Sequence, residues 1–229
     1  MGESLPLRFE LVGRNVAAAV RLPKIKANEI TILTACELKA VFASLSVSRL
    51  LPIALLALAT GMRRGELLGL RWSDLDLARS VVKVKRSLEQ TVRGGLRLKE
   101  PKTRNSRRAI TLPATAVAML TDHRREQLEL RMKLGMGKPA DDTLVFCNAD
   151  GSPISPNSFS VMRGRAVPQA TFHSLRHMHA SALIAAGQDV VTVSRRLGHA
   201  KPTITLNVYG HLFRNTDAYC ADAIEAMLK

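Results

Sequence analysis

The stretch TGMRRGELLGLRW at 60–72 holds side chains that can grip a phosphate. Arg63 and Arg64 follow a glycine that stops one predicted helix, and they open the next. There, the forked donors of a guanidinium add to the positive end of the helix dipole. We interpret Glu66 as a buried support that orients an arginine, rather than as a general base. Taken alone, however, the stretch is explained better by a solvated arginine at a helix start than by a phosphate site.

The stretch HSLRH places two histidines and an arginine where they can share one helical face. His173 and Arg176 are three residues apart, and His173 and His177 are four apart. Two histidines at this spacing could instead bind a metal ion. That alternative needs a third ligand, and Arg176 would repel a cation. We therefore favour a site for an anion and predict no metal.

Tyr209 follows an LGH motif that ends at His199, ten residues upstream. A single tyrosine near a C-terminus is usually structural, with its ring packed and its hydroxyl in one hydrogen bond. As a nucleophile, tyrosine is weak at its free pKa and needs cations near the phosphate that it attacks. Arg63, Arg176 and His199 would supply them.

A dense basic segment that includes PKTRNSRRAI at 101–110 lies between these motifs. Most of its cations are expected to touch DNA backbone generally, or simply to be solvated. The cations of the segment are Lys99, Lys102, Arg104, Arg107 and Arg108.

The composition points to a polyanionic partner. The 34 Lys and Arg against 19 Asp and Glu give a net charge of +15, which suits nucleic acid or an anionic membrane surface. The longest apolar run, 50–59, is too short to cross a bilayer. The three cysteines lack metal or redox spacing and fit reduced thiols. We expect a cytoplasmic protein without a membrane segment.

The hydrophobic periodicity predicts a mainly helical α+β domain with one small, three-stranded antiparallel sheet. Helix signals, including a capping box at Thr34 and Glu37, are separated by glycine stops and prolines. The predicted helices cover 34–46, 50–60, a stretch from Arg63 to about 70, 113–133, 174–186, 190–197, 202–208 and 217–228. The predicted strands cover 80–88, 96–99 and 107–112, and a loop covers 135–157.

The motifs between residues 60 and 211, in this order, resemble the catalytic domain of the tyrosine recombinase (phage integrase) family. The resemblance implies that family's DNA breaking-rejoining fold and a site-specific recombinase, of bacterial, phage or mobile-element origin, that integrates or excises DNA. It implies cleavage and rejoining through a 3′-phosphotyrosyl bond, without a cofactor.

The resemblance also assigns roles to individual residues. Arg63 and Arg176 look like the two arginines that clamp the scissile phosphate, and His199 like an additional hydrogen-bond donor to it. Tyr209 resembles the nucleophile.

The proton-transfer groups and their supports follow from the same resemblance. Lys102 resembles the lysine that protonates the 5′-oxygen leaving group, and His173 the acid/base histidine. Glu66 matches a supporting acidic position, and His177 is a second supporting residue. Arg64 is expected to contact DNA.

The resemblance also implies a domain organisation and partners. We expect residues 1–28 to be the tail of a core-binding domain plus a linker, and residues 29–229 to be the catalytic domain. The expected partners are double-stranded DNA and further copies of the chain, in a tetramer held through the C-terminal segment 212–229. The segment 161–170 is shorter than the family usually shows.

Two other functions fit the same residues. A type IB topoisomerase shares the catalytic scheme but cleaves as a monomer, without synapsis. A non-catalytic DNA-binding protein descended from an integrase would not need the catalytic set intact, which here comprises Arg63, Lys102, His173, Arg176, His199 and Tyr209.

Overall fold

The computed structural model describes residues 33–46, 48–91, 94–100, 106–156, 171–213, 224, 225 and 227. The predicted linker at 1–28 and the short segment 161–170 lie outside the described residues. The same holds for the final predicted helix, 217–228, except at three positions.

The first three predicted helices are present, and the first and third end two residues earlier than predicted. Helix α1 (Ala35–Ser44) starts at Thr34, and the predicted capping box is present. Helix α2 (Leu51–Thr60) is largely buried, and Gly61 ends it with a positive φ of 64°. Glycine adopts this left-handed conformation without steric cost, so the chain can turn directly into helix α3 (Arg64–Leu68).

The strands form two small antiparallel sheets. The first has the order β1-β2-β5, formed by Leu75–Asp76, Val81–Val84 and Arg108–Thr111. The second is a hairpin of β3 (Ser87–Thr91) and β4 (Gly95–Lys99). The predicted antiparallel pairing and glycine turn are therefore present.

The prediction of one continuous strand over 80–88 is wrong. The chain leaves the extended ladder at Lys85 and Arg86, which both reach the buried carboxylate of Asp74. The Lys85 Nζ to Asp74 Oδ1 distance is 3.2 Å. Because a buried carboxylate needs charged partners, these contacts divide the segment between two sheets. The β5 strand accordingly pairs with β2 and not with β4.

Four further helices complete the described fold. Helix α4 (Ala114–Lys133) follows Pro113, as predicted. Helix α5 (Phe172–Ala185) begins two residues earlier than predicted, because the hydroxyl of Thr171 caps it. Helices α6 (Val190–Leu197) and α7 (Pro202–Tyr209) follow, and Tyr209 is the last residue of α7.

The core has two main parts. The larger part joins α2, α3, β2, β5 and α4 and contains Trp72. A smaller cluster joins α5, α6 and α7 through Ala180, Val193, Leu197 and Tyr209. No helix in the described part of the chain has the length and apolar character of a membrane span. The predicted mainly helical class is confirmed, with small antiparallel sheets in place of a single one.

Candidate active site

Arg63 stands at the N-terminal cap of α3, as the sequence predicts. Its backbone N–H donates to Glu66 Oε2 at 2.8 Å, and its Nη1 donates to Glu66 Oε1 at 3.0 Å. Its Nη2 donates to the carbonyl oxygen of Gly198 at 3.1 Å. The side chain is nevertheless 44% exposed, so an anion can approach it from solvent.

Glu66 lies beneath Arg63 and also binds Arg108. Arg108 Nη1 and Nη2 donate to its two carboxylate oxygens at 3.1 and 2.9 Å. The side chains of Glu66 and Arg108 are only 5% and 7% exposed. Burial alone would raise the pKa of Glu66, but hydrogen bonding and charge from Arg108, then from Arg63, leave that pKa lowered. Glu66 is therefore an ionised, buried carboxylate that holds Arg63 and Arg108.

Arg176 is fixed from both sides by backbone oxygens. Its Nη1 donates to the Gly61 carbonyl, and its Nη2 donates to the Leu197 carbonyl at 2.8 Å. These bonds use two of the five N–H groups of a guanidinium. Burial, and then the charge of Arg63, lowers the pKa of Arg176 to about 10, so the group stays cationic near neutral pH.

Arg63 and Arg176 are thus held on consecutive carbonyls at the end of α6, those of Gly198 and Leu197. The C-terminal end of a helix carries partial negative charge, which helps to hold two guanidinium groups close together. Gly198 adopts a left-handed φ of 69° here. A Cβ on this glycine would lie 2.6 Å from Arg108 Nη1, so the close approach requires glycine as well.

His199 follows directly and is oriented by a buried hydroxyl. Its Nδ1 lies 2.8 Å from Thr205 Oγ1, on α7. Burial, and then the charges of Arg176 and Arg63, lowers the pKa of His199 to about 4. The prediction that His199 serves as a cation therefore needs correction. At neutral pH it is a neutral imidazole, which still has one N–H to donate.

Tyr209 is buried, and its hydroxyl oxygen lies 2.6 Å from His177 Nδ1. The two ring centroids are 5.5 Å apart, with an interplanar angle of 61°. Burial raises the pKa of Tyr209 to about 12, although the charge of Arg176 opposes this. Burial, and then His173 and Arg176, lowers the pKa of His177 to about 4. Both groups are therefore neutral at neutral pH.

His173 lies in the first turn of α5 and is exposed. Its ring meets that of His177 edge-on, with centroids 4.4 Å apart. Burial of part of the ring, and then Arg176 and Arg63, lowers the pKa of His173. The same two arginines thus disfavour a further positive charge on this histidine.

The predicted basic contacts divide into three groups. Lys102 and Arg104 lie outside the described residues. Lys99 binds Glu89 at 3.1 Å and Arg107 binds Glu100, all four on exposed surface.

Arg64 and Arg108 form the third group, because both are tied to distant parts of the chain. Arg64 Nη1 donates to the Pro156 carbonyl at 3.1 Å. Arg108 Nε donates to the Arg196 carbonyl at 2.7 Å, in addition to its bonds to Glu66. The prediction that Arg108 contacts DNA does not fit its burial, and we interpret it as a support.

The site has an excess of positive charge. Arg63 and Arg108 bind the carboxylate of Glu66, whose charge also acts on Arg176, and the nearby His173, His177 and His199 have lowered pKa values. Within the described residues, no group of three or more His, Cys, Asp or Glu is placed to hold a metal ion. This arrangement is suited to an anion that carries its own oxygens, such as a phosphodiester.

Two supports of the site could not be assigned from the sequence. Thr205 is fully buried and orients His199. His179 is buried on α5. Its Nδ1–H donates to the Leu58 carbonyl at 2.7 Å, and its Nε2 accepts from Arg196 Nε at 3.0 Å. Each of these contacts joins residues from different helices or loops, so motif spacing does not indicate it. The only sequence signal is a hydroxyl residue shortly after the LGH motif, which points to Thr205.

Comparison with known proteins identifies similar chains. The sequence profile of the Phage integrase family matches residues 25–216. A tyrosine recombinase XerC-like protein of Caldanaerobacter subterraneus subsp. tengcongensis is 34% identical over 191 residues, which cover 77% of this chain and 49% of that protein. The ICEBs1 integrase of Bacillus subtilis is 32% identical over 75% of this chain and 47% of its own length. The chain thus spans about half the length of these curated relatives.

A solved structure shares the fold. The Tn1549 transposon integrase, solved in complex with transposon right end DNA, aligns with a TM-score of 0.72 and 20% identity. The alignment covers 95% of this chain and 71% of that one. This likeness establishes the fold that the sequence resemblance implies.

Proposed function

This chain belongs to the phage integrase family, and from that premise we propose that it is a site-specific tyrosine recombinase. It would cleave and rejoin DNA through a 3′-phosphotyrosyl bond, for integration or excision of a mobile element. The observation that carries the proposal is the convergence of separated motifs. Arg63, from 60–72, and Arg176, from 173–177, bind consecutive carbonyls ahead of His199, and α7 brings Tyr209 to the same place.

The two arginines and His199 would hold the scissile phosphate. Arg63 is open to solvent, and Arg176 has N–H groups beyond the two that bind carbonyls. His199 would add a neutral N–H donor, because a hydroxyl proton donated by Thr205 to Nδ1 leaves the hydrogen on Nε2. Fixed donors of this kind stabilise the charge that develops on phosphate without reorganising during the reaction.

Tyr209 would attack the phosphorus and displace the 5′-oxygen of the next nucleotide. The new phosphotyrosyl bond keeps the energy of the phosphodiester, so rejoining needs no ATP. Lys102 is the proposed proton donor to the leaving 5′-oxygen, and His173 is the proposed acid/base histidine. The cationic side chains would do the work that metal ions do in other phosphoryl-transfer enzymes.

The remaining cations would contact the DNA backbone along the duplex. Lys99, Arg104 and Arg107 belong to one basic stretch of the sequence, and the chain carries a net charge of +15. Phosphate contacts release counterions, so binding should weaken steeply with salt. Arg64 would contact DNA at the start of α3. Acting on a bacterial chromosome would place the protein in the cytoplasm.

Strand exchange between two duplexes requires four cleaved strands, and each site supplies one tyrosine. We therefore infer a tetramer on DNA. The segment 212–229 begins three residues after the nucleophile and is the proposed contact between protomers. A type IB topoisomerase would instead cleave as a monomer.

Covalent trapping tests this function. The 229-residue chain is incubated with a pool of random-sequence duplexes that carry one nick, so that a short cleaved fragment diffuses away and rejoining fails. Protein-linked DNA is then separated on denaturing gels and sequenced. We expect a covalent adduct that resists denaturation, that persists in EDTA and that is enriched in one sequence. Absence of any adduct would contradict the proposal, and an adduct without sequence enrichment would favour the topoisomerase.

A further inference from the structure

The hydroxyl of Tyr209 forms a hydrogen bond with His177, a residue to which the resemblance assigns only a supporting role. The distance of 2.6 Å from the hydroxyl oxygen to His177 Nδ1 is that of a short hydrogen bond. His173, to which the resemblance assigns acid/base chemistry, lies beyond His177, with ring centroids 4.4 Å apart. Tyr209 is only 2% exposed, so this contact is made away from bulk water.

The electrostatics set the direction of this hydrogen bond. Burial raises the pKa of Tyr209 to about 12, so the phenol holds its proton. Burial, with His173 and Arg176, lowers the pKa of His177 to about 4, so its ring is neutral and has one unprotonated nitrogen. When that nitrogen is Nδ1, the phenol donates to it. A proton acceptor then already stands at the atom that must lose a proton.

We propose that His177 is a catalytic residue, whose Nδ1 accepts the hydroxyl proton of Tyr209 as the tyrosine oxygen attacks phosphorus. This rests on the proposed function. In the step, the Tyr209 O–H bond and the bond from phosphorus to the 5′-oxygen break. The bond from the tyrosine oxygen to phosphorus forms, as does N–H on His177. The 5′-oxygen takes a separate proton from Lys102, and in rejoining His177 returns its proton to Tyr209.

An arriving phosphodiester would make this transfer easier. The charged or titratable groups around His177 are His173 and Arg176 on α5, His199 after α6, and Tyr209 on α7. Without DNA, Arg176 disfavours an imidazolium ion here. A phosphate bound by Arg176 offsets that charge, which favours a protonated His177. The phosphate also weakens the stabilisation that Arg176 gives to a tyrosinate, so the gain lies in the protonation of His177.

Two substitutions separate proton transfer from simple positioning. His177→Asn places an amide oxygen near the position of Nδ1, so it can accept the Tyr209 hydrogen bond but not retain its proton. His177→Ala removes both functions. A proton acceptor contributes about 10²–10⁴-fold to a rate. We therefore expect both variants to form adduct at least a hundredfold more slowly than the wild type, on the DNA sequence recovered by covalent trapping.

A second substrate shows which proton is affected. In a 5′-bridging phosphorothiolate, the leaving group is a thiolate, which departs without a proton donor. We expect this substrate to leave the His177→Asn defect unchanged and to restore cleavage by Lys102→Ala. His123→Gln is the matched control. His123 Nε2–H donates to the Val145 carbonyl at 2.8 Å, in the larger core, and glutamine can keep that bond.

The outcomes are distinguishable from failure of the function itself. Cleavage by His177→Asn at the wild-type rate would reduce His177 to a positioning residue and overturn the inference. Rescue of His177→Asn by the phosphorothiolate would overturn it too, because His177 would then act on the leaving group. If wild type and His123→Gln form no adduct, the proposed function fails and this inference fails with it.

Discussion

Glu66 and Arg108 form a buried ion pair with two hydrogen bonds, of 3.1 and 2.9 Å, that ties α3 to β5. The pair spans 42 positions of sequence. Glu66 also binds both the backbone and the side chain of Arg63. The ion pair therefore fixes the arginine that stands nearest to solvent at the proposed phosphate site.

Glu66→Gln should weaken both the fold and the chemistry. Removing one partner of a buried pair leaves the other charge uncompensated and typically costs about 3–5 kcal/mol. We expect urea unfolding to show a loss of this order and the rate of DNA cleavage to fall, because Arg63 loses its carboxylate. The double variant with Arg108→Met should recover part of the lost stability but not the cleavage rate. An unchanged unfolding free energy in Glu66→Gln would contradict the role of this pair.

Lysine should replace neither of the two clamp arginines. A lysine ammonium is a point charge and cannot reproduce the planar fork that binds two oxygens at once. We expect Arg63→Lys and Arg176→Lys each to slow adduct formation on the order of a hundredfold, typical of a lost transition-state donor. Arg176→Lys should also lower the melting temperature, since the side chain is 4% exposed and bridges two carbonyls. Wild-type cleavage by Arg176→Lys would exclude bidentate binding there.

Thr205→Val should impair cleavage through His199. The valine keeps the side-chain volume but loses the hydroxyl that lies 2.8 Å from His199 Nδ1, so the tautomer and the ring orientation are no longer fixed. We expect the cleavage rate to fall roughly tenfold, since one hydrogen bond is lost and a buried nitrogen is left unpaired. Thr205→Ser, which keeps the hydroxyl, is the matched control and should cleave near the wild-type rate. Equal cleavage rates for Thr205→Val and Thr205→Ser would show that the Thr205 hydroxyl does not contribute to catalysis.

Stability should depend on pH through His179. Burial, and then the charge of Arg196, lowers the pKa of His179 to about 4, from an ordinary value of 6.5. The unfolded chain therefore binds more protons between these values, so this contribution is complete above pH 6.5 and is lost as pH falls toward 4. Urea unfolding should show the free energy falling across this window, by at most about 1.4 kcal/mol per pH unit for one histidine.

The variant His179→Asn isolates that contribution. Its amide can still donate to the Leu58 carbonyl but does not titrate. We expect a shallower slope of stability against pH than in the wild type, with the remainder carried by His177 and His199, whose pKa values are also lowered to about 4. An identical slope in the variant would show that His179 does not titrate in this window.

Local signals predicted most of the helices, because caps and stops act within a few residues. The prolines, Thr34 and the glycines at 61 and 198 placed helix ends correctly. The break of the strand at Lys85 depends on Asp74, eleven positions away, and the partner of Glu66 on β5 is 42 positions away. Hydrophobic periodicity indicates neither of these two contacts. The pairing of Tyr209 with His177 required the packing of α7 on α5.

The most direct measurement identifies the residue that carries DNA after covalent trapping. Wild-type protein and Tyr209→Phe are incubated with the trapping substrate, and the DNA-linked peptide is located by mass spectrometry after proteolysis. Phenylalanine keeps the ring in its core, so we expect DNA affinity within about twofold of wild type, since surroundings that lose no packing change little. The account predicts that DNA is linked to Tyr209 in the wild type and that the variant forms no adduct. A wild-type level of adduct in Tyr209→Phe, or DNA linked to Tyr219, would contradict it.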